Sequence, residues 1–253
     1  MQVLRWIFKL ITLCGCWRPA SWDSTPRRYL YNVYTVICFT IIHLLVVGEV
    51  LDLVLIVDNQ NDLAENLYAT MGFAVTCYKL SAMLSMRESL AVIMDTLESE
   101  PFTPEGDREL EIRTKFDKSA EWTAKAYTIG FEIWAVWTMV LSLFMNFTKR
   151  KMVFRTWLPF DHTPVITYCL VYLHHTLVIM VCLTSTVAYD SLYAGLLVHI
   201  YSQFEILRHR LQNVHRNENN SVKHCARHHD QIYKLVPMLR TGRDPKLQPS
   251  IML

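Results

Sequence analysis

An uninterrupted helical pattern covers residues 165–211, and no proline breaks it. Within residues 188–211 its character changes, because the upstream part is apolar enough for a lipid bilayer while the downstream part carries many charged residues. After Gln203 the apolar residues recur at helical spacing and form a stripe made of Phe204, Leu207, Leu211 and Val214. The pattern predicts a membrane helix that continues into water and packs this stripe against a partner. An amphipathic helix of a soluble bundle fits the second part equally well, but it does not explain the first.

The composition favours a membrane protein with several spans. Hydrophobic residues make up 52% of the 253 residues and charged residues only 19%, a balance more apolar than that of ordinary globular domains. The net charge of +2 is too small to indicate nucleic acid as a partner. The seven Cys residues have no paired spacing, so we expect no disulfide framework.

Four apolar segments are long enough to cross a bilayer, which needs about 20 helical residues. The predicted spans lie near residues 31–57, 67–86, 123–147 and 165–203. The second is the weakest because it contains Lys79, whose side chain is expected to extend along the membrane toward the end where Arg87 emerges. The fold class predicted is therefore all-α, a polytopic membrane helical bundle.

The remaining segments are predicted to lie outside the hydrocarbon. Residues 1–30 are expected to be cytoplasmic or interfacial, residues 204–234 to form a cytoplasmic helical extension, and residues 235–253 to form a disordered tail. Residues 87–121 are charged and predicted to be exposed to water as two helical pieces. The break between these pieces is indicated by Pro101, Pro104 and Gly106.

Several polar residues interrupt the predicted spans. An ionised side chain against lipid is costly, so residues of this kind are expected to face a protein or water interior. This expectation applies to His174, His175, Asp190 and His199. Glu49 and Asp52 are expected to lie near the outer interface or to pack inward in neutral form, and the alternative is an ion or ligand path.

The distribution of basic residues predicts the orientation. Lys and Arg number 19 in the N-terminal segment, the charged stretch and the region after Gln203, against four between the third and fourth spans and none between the first and second. Basic residues are enriched on the cytoplasmic side of membrane proteins. Both ends of the chain are therefore predicted to lie in the cytoplasm.

The histidines give the one enzyme-like signal. His174 and His175, together with an H-x3-H-H pattern over residues 224–229, are similar to the histidine boxes of membrane di-iron oxidases, and a zinc site at Cys225, His228 and His229 is a further alternative. Such sites need a closed ligand set, of which only a fragment is visible. A phosphate-binding loop, a G-x-S-x-G motif and an H-E-x-x-H motif are all missing from the sequence. We therefore expect a binding or conducting function, with no catalysis, cofactor or metal.

Four short sequences together resemble the insect odorant receptor family. They are QFEILRHRL at 203–211, CARHHDQIY at 225–233, WLPFD at 157–161 and YLHHT at 172–176. One departure is His175, which stands where the family usually has Gln. The resemblance implies a seven-helix receptor of the plasma membrane with a cytoplasmic N-terminus, which assembles with a shared co-receptor as an odorant-gated cation channel.

The resemblance also implies where ligands and subunits bind. The family's pockets are apolar with aromatic walls and take a small volatile odorant. The candidate ligand-binding residues are Phe73, Tyr78, Trp134, Trp137, Met180 and Thr184. The stripe of Phe204, Leu207, Leu211 and Val214 is the candidate subunit interface.

After Tyr233 the sequence departs from the family, because no further apolar span follows. The resemblance then implies that helices five to seven are absent, and we expect that this chain does not conduct. The alternative is a non-conducting regulatory partner that binds full-length receptors through the stripe.

Overall fold

The structure is a computed structural model, and it describes residues 4–19, 22, 24–214 and 219–241. These residues are almost entirely helical, and no β-strand occurs among them. The helices of this part are α1 (Leu4–Leu13), α2 (Thr25–Leu55), α3 (Gln60–Ser85), α4 (Arg87–Leu97), α5 (Asp107–Met145), α6 (Val165–Gln212) and α7 (Asn219–Thr241), with a 3-10 turn at Phe147–Lys149.

The helix boundaries follow local sequence signals. Helix α6 begins directly after Pro164 and continues for 48 residues, which confirms the predicted uninterrupted pattern. At 1.5 Å per residue it is about 72 Å long, more than twice the thickness of a hydrocarbon core. The charged pieces around the predicted break are α4 and the start of α5, as expected. Helix α5 then continues without interruption into the predicted third span.

Three helices are long and apolar enough to cross a membrane, namely Pro26–Leu55, Asp107–Lys149 and Val165–Gln212. They contain the predicted third and fourth spans and all but the last two residues of the first, 31–57. Helix α3 has 26 residues, which is long enough to span, but it is not among these three. The second span therefore stays a prediction.

The chain divides into two compact units. Unit 1 contains Met1–Ile7, Ala82–Lys125 and Ser191–Leu253, and unit 2 contains Phe8–Ser81 and Ala126–Asp190. Helices α5 and α6 each contribute residues to both units.

In unit 2, α5 and α6 are antiparallel and joined by two polar contacts. The hydroxyls of Ser142 and Tyr172 lie 2.9 Å apart, and Glu132 Oε1 lies 2.7 Å from the hydroxyl of Thr184. Between Glu132 and Ser142 on α5, Ala135 is fully buried.

In unit 1, α4 packs one face against α7. The buried face of α4 consists of Leu90, Ile93 and Leu97, which follow helical spacing. The prediction of a disordered tail from residue 235 is wrong for residues 235–241, because α7 continues to Thr241 and buries Leu235, Met238 and Leu239. This burial offsets the lost hydrogen bond of Pro237 inside the helix. The rest of the predicted tail, residues 242–253, lies outside the described residues.

The polar residues of α6 point inward as predicted. His174 Nε2 lies 2.9 Å from the carbonyl oxygen of Ile41 in α2, and His175 and His199 are buried. Asp190 accepts a 2.7 Å hydrogen bond from Lys79 Nζ in α3. Lys79 thus pairs with an opposite charge on the neighbouring helix α6. The predicted extension of Lys79 toward Arg87 stays a prediction, because this ion pair does not give the direction of the side chain along the helix.

Glu49 and Asp52 of α2 also pack inward, and both are buried. Asp52 Oδ2 accepts from Asn66 Nδ2 at 2.8 Å and from Arg155 Nε at 3.4 Å. Arg155 reaches a second acid, Asp62, at 2.5 Å. One guanidinium in the α5–α6 connection thus joins α2 to α3.

Candidate functional site

The sequences at 203–211 and 225–233 meet in a buried polar network of unit 1. Its centre is the guanidinium of Arg210, which donates to both carboxylate oxygens of Glu109, Nε to Oε1 at 2.9 Å and Nη2 to Oε2 at 2.7 Å. It also donates to the carbonyl oxygens of Pro101 at 2.9 Å and Thr103 at 3.0 Å. The side chain of one α6 residue therefore fixes the irregular segment between α4 and α5.

A chain of hydrogen bonds continues from Arg210 to His228 of α7. Arg210 Nη1 lies 3.4 Å from His228 Nδ1, and His228 Nε2 lies 3.2 Å from Gln203 Oε1. Gln203 Nε2 in turn donates to the carbonyl oxygen of Phe102 at 3.3 Å. A guanidinium can only donate, so Nδ1 must accept and the proton of the neutral imidazole sits on Nε2.

The charge state of His228 follows from this arrangement. Burial lowers the pKa of His228 to about 4, and the positive charge of Arg210 acts in the same direction. The ring of Phe102 packs edge-on against it at 5.3 Å. The imidazole therefore remains neutral at pH 7.

A cleft of about 510 Å³ lies beside this network in unit 1. Most of the residues that line it are polar or charged, and His224 Nε2 lies 3.3 Å from Glu105 Oε1 at its edge. None of the six candidate ligand-binding residues lines it. An apolar volatile molecule would find few suitable partners there.

The six candidate ligand-binding residues all lie in unit 2. Phe73 is buried and packs edge-on against Phe154 with ring centroids 5.1 Å apart. Thr184 is 8% exposed, and its hydroxyl lies 2.8 Å from the carbonyl oxygen of Met180, one turn earlier in α6. The structure thus places Met180 and Thr184 together.

The three other candidates are exposed in this structure. The exposed fractions are 71% for Tyr78, 57% for Trp134 and 62% for Trp137. Described residues do not enclose them, so their assignment to a pocket stays a prediction.

Glu132 of α5 is not among the six candidate ligand-binding residues, although its Oε1 lies 2.7 Å from the hydroxyl of Thr184. It is the one charged residue within 126–147, and an isolated acid in an apolar helix indicates an interior polar contact. Sequence spacing could not show that its partner is on α6.

The candidate interface stripe is partly covered within the chain. Leu207 is buried, and Phe204 is half-buried with its ring 6.3 Å from that of Tyr233 in α7. Leu211 is exposed and Val214 is half-buried. Only the part of the stripe around Leu211 is open to a partner here, and the interface assignment stays a prediction.

The histidine-rich sequences do not converge on a metal site in the described part of the chain. No group of three or more His, Cys, Asp or Glu residues there could hold an ion. His228 is buried in the network, whereas its neighbour His229 is exposed and lies 4.6 Å from the ring of Tyr233. The di-iron and zinc alternatives gain no support from this geometry.

Three apolar helices of membrane length in an all-helical described chain define a polytopic helical membrane protein. A family model described as "7tm Odorant receptor" matches residues 59–241. The chain belongs to this family, the insect odorant receptors, which is a family of receptors rather than of enzymes.

Solved structures share the fold of this chain. The chain is similar to insect olfactory receptor OR5 from Machilis hrabei in complex with eugenol, with a TM-score of 0.78 and 14% identity over 95% of this chain. A second structure of that receptor matches with a TM-score of 0.75 and the same identity and coverage. The chain spans about two thirds of the length of that receptor, 65%. No curated protein sequence is significantly similar to the chain.

Proposed function

We propose that this chain is a ligand-binding odorant receptor subunit that takes small, volatile, apolar molecules. The observation that carries the proposal is the family match over residues 59–241. It is supported by the apolar and aromatic candidates of unit 2, with Met180 and Thr184 on one face of α6. The related receptor from Machilis hrabei was solved with eugenol.

We further propose that the subunit acts at the plasma membrane in a heteromeric cation channel with the co-receptor. In this arrangement both ends of the chain are cytoplasmic, as the basic-residue distribution predicts. Odorant binding shifts the population between closed and open states because the ligand has different affinities for them. The exposed side chain of Leu211 supports a contact with a partner subunit.

Ligand binding can be tested directly on the purified chain in lipid nanodiscs. Quenching of tryptophan fluorescence by eugenol should saturate. Substitution of Met180 by Ala should raise the Kd about three- to tenfold, because a half-buried apolar contact is lost. The matched control is Met94→Ala in α4, also half-buried but in unit 1, which should leave Kd unchanged. Equal effects of both substitutions, or no saturable binding, would contradict the proposal.

Assembly can be tested by co-purification with the co-receptor. Placing a charge in the stripe with Leu211→Glu should reduce recovery at least fivefold, while Val92→Glu, at an exposed apolar position of α4, should not. Recording from the same cells tests the channel proposal. Co-purification without current favours the regulatory-partner alternative, and an odorant-gated current favours the channel subunit.

A further inference from the structure

The hydroxyl of Thr184 has two acceptors and one proton. Met180 O lies 2.8 Å away and Glu132 Oε1 lies 2.7 Å away, both within hydrogen-bond distance. A threonine hydroxyl donates one hydrogen bond. The Thr184 hydroxyl can therefore satisfy only one of these two acceptors at a time.

The buried, largely apolar surroundings of these groups make an additional hydrogen-bond donor energetically favourable. Thr184 is buried, Glu132 is half-buried, and the α5 segment 126–147 carries no other charge. Among the residues that the structure describes, Thr184 is the hydrogen-bond partner of Glu132. A carboxylate in apolar surroundings without a full set of donors is costly.

We propose that Glu132 and Thr184 form a polar subsite for odorants that carry a hydroxyl group, namely alcohols and phenols. The ligand hydroxyl donates to Glu132 Oε1, which leaves the Thr184 proton to Met180 O. An ether of the same shape accepts hydrogen bonds but donates none, so it leaves the carboxylate short of a donor. This inference rests on the proposed function, because it assigns a ligand class to the same receptor.

A competing explanation is that the contact only ties α5 to α6. The bond between Ser142 and Tyr172 joins the same two helices and is buried. It provides the control, since Tyr172→Phe removes that bond with little change of shape. If both contacts only join the helices, removing either one should have the same effect on the ratio of ligand affinities.

The test is titration of the purified chain in nanodiscs with eugenol and with its O-methyl ether, which differ in one donor hydrogen. Wild type should bind eugenol at least about fivefold tighter than the ether. Glu132→Leu should abolish this ratio, whereas Tyr172→Phe should keep it. Thr184→Val should keep or increase it, because Glu132 then depends on the ligand for its donor.

The outcomes separate the two proposals. If wild type binds neither compound, the proposed function fails and the inference fails with it. If wild type binds both equally, or if Glu132→Leu keeps the ratio, the inference alone is overturned. Loss of the ratio in Tyr172→Phe would show an effect of helix packing and would overturn it as well. Should Glu132→Leu not fold, Glu132→Met supplies an apolar side chain of similar length for the same comparison.

Discussion

Arg210 of α6 binds Glu109 of α5 through two parallel hydrogen bonds, at 2.9 Å and 2.7 Å. The two side chains are only 6% and 8% exposed. A planar guanidinium fits a carboxylate in this two-point geometry, which a lysine could not reproduce. The pair therefore fixes both the position and the orientation of the two helices within unit 1.

Removing one partner of this pair should be strongly destabilising. Arg210→Leu leaves Glu109 buried without its counter-charge, and we expect a loss of about 3–5 kcal/mol in the free energy of unfolding. Thermal unfolding of the purified chain in detergent measures it. The control is Arg208→Leu, because Arg208 is exposed and lies 3.4 Å from Glu205, a pair worth less than about 1 kcal/mol. Similar losses of unfolding free energy in both variants would contradict the prediction that the buried pair contributes more to stability than the exposed one.

His228 should make the stability depend on pH. Its pKa is about 4 in the folded chain against 6.5 for an unperturbed imidazole, so the unfolded state binds the proton first as the pH falls. Its stabilising contribution is complete above pH 6.5 and is lost as the pH falls toward 4, up to about 3 kcal/mol. Unfolding at pH 7 and pH 5 should show a smaller pH-dependent loss for His228→Asn than for wild type. His229→Asn, at the exposed neighbouring position, should behave like wild type.

The ion pair between Lys79 and Asp190 should show measurable coupling. Both side chains are partly exposed, so we expect a coupling energy of about 1–2 kcal/mol from a double-mutant cycle of Lys79→Met and Asp190→Leu. The pair of Lys125 and Glu121, four residues apart on α5, is the comparison and should give about 0.3–0.5 kcal/mol. Equal coupling of the two pairs would count against a role of Lys79 in joining α3 to α6.

Arg155 should hold the connection between α5 and α6 in place. Arg155→Met leaves the buried Asp52 with one donor fewer and releases Asp62, and we expect a loss of about 1–3 kcal/mol together with faster proteolysis of the connection. Limited proteolysis and thermal unfolding report these two effects. Lys151→Met, an exposed position of the same connection, should change neither. An unchanged cleavage rate in Arg155→Met would show that other contacts hold the segment.

The amino-acid sequence by itself determined the helical class, the start of α6 and the break between α4 and α5. Hydrophobic runs of membrane length and the breakers near Pro101 are local features, so they could be recognised without knowing any partner. The inward orientation of His174 and Asp190 was also predictable, because a polar side chain against lipid is costly whatever it contacts.

Only the tertiary structure decided which residues are paired. Lys79 meets Asp190 across 111 positions of sequence, and Arg210 meets Glu109 across 101. Helix spacing identifies a face but not the neighbour that covers it, which is why Leu207 of the predicted interface stripe is buried within the chain. The same reason explains α7, since packing against α4 continues the helix through Pro237, where local propensity alone predicts its end.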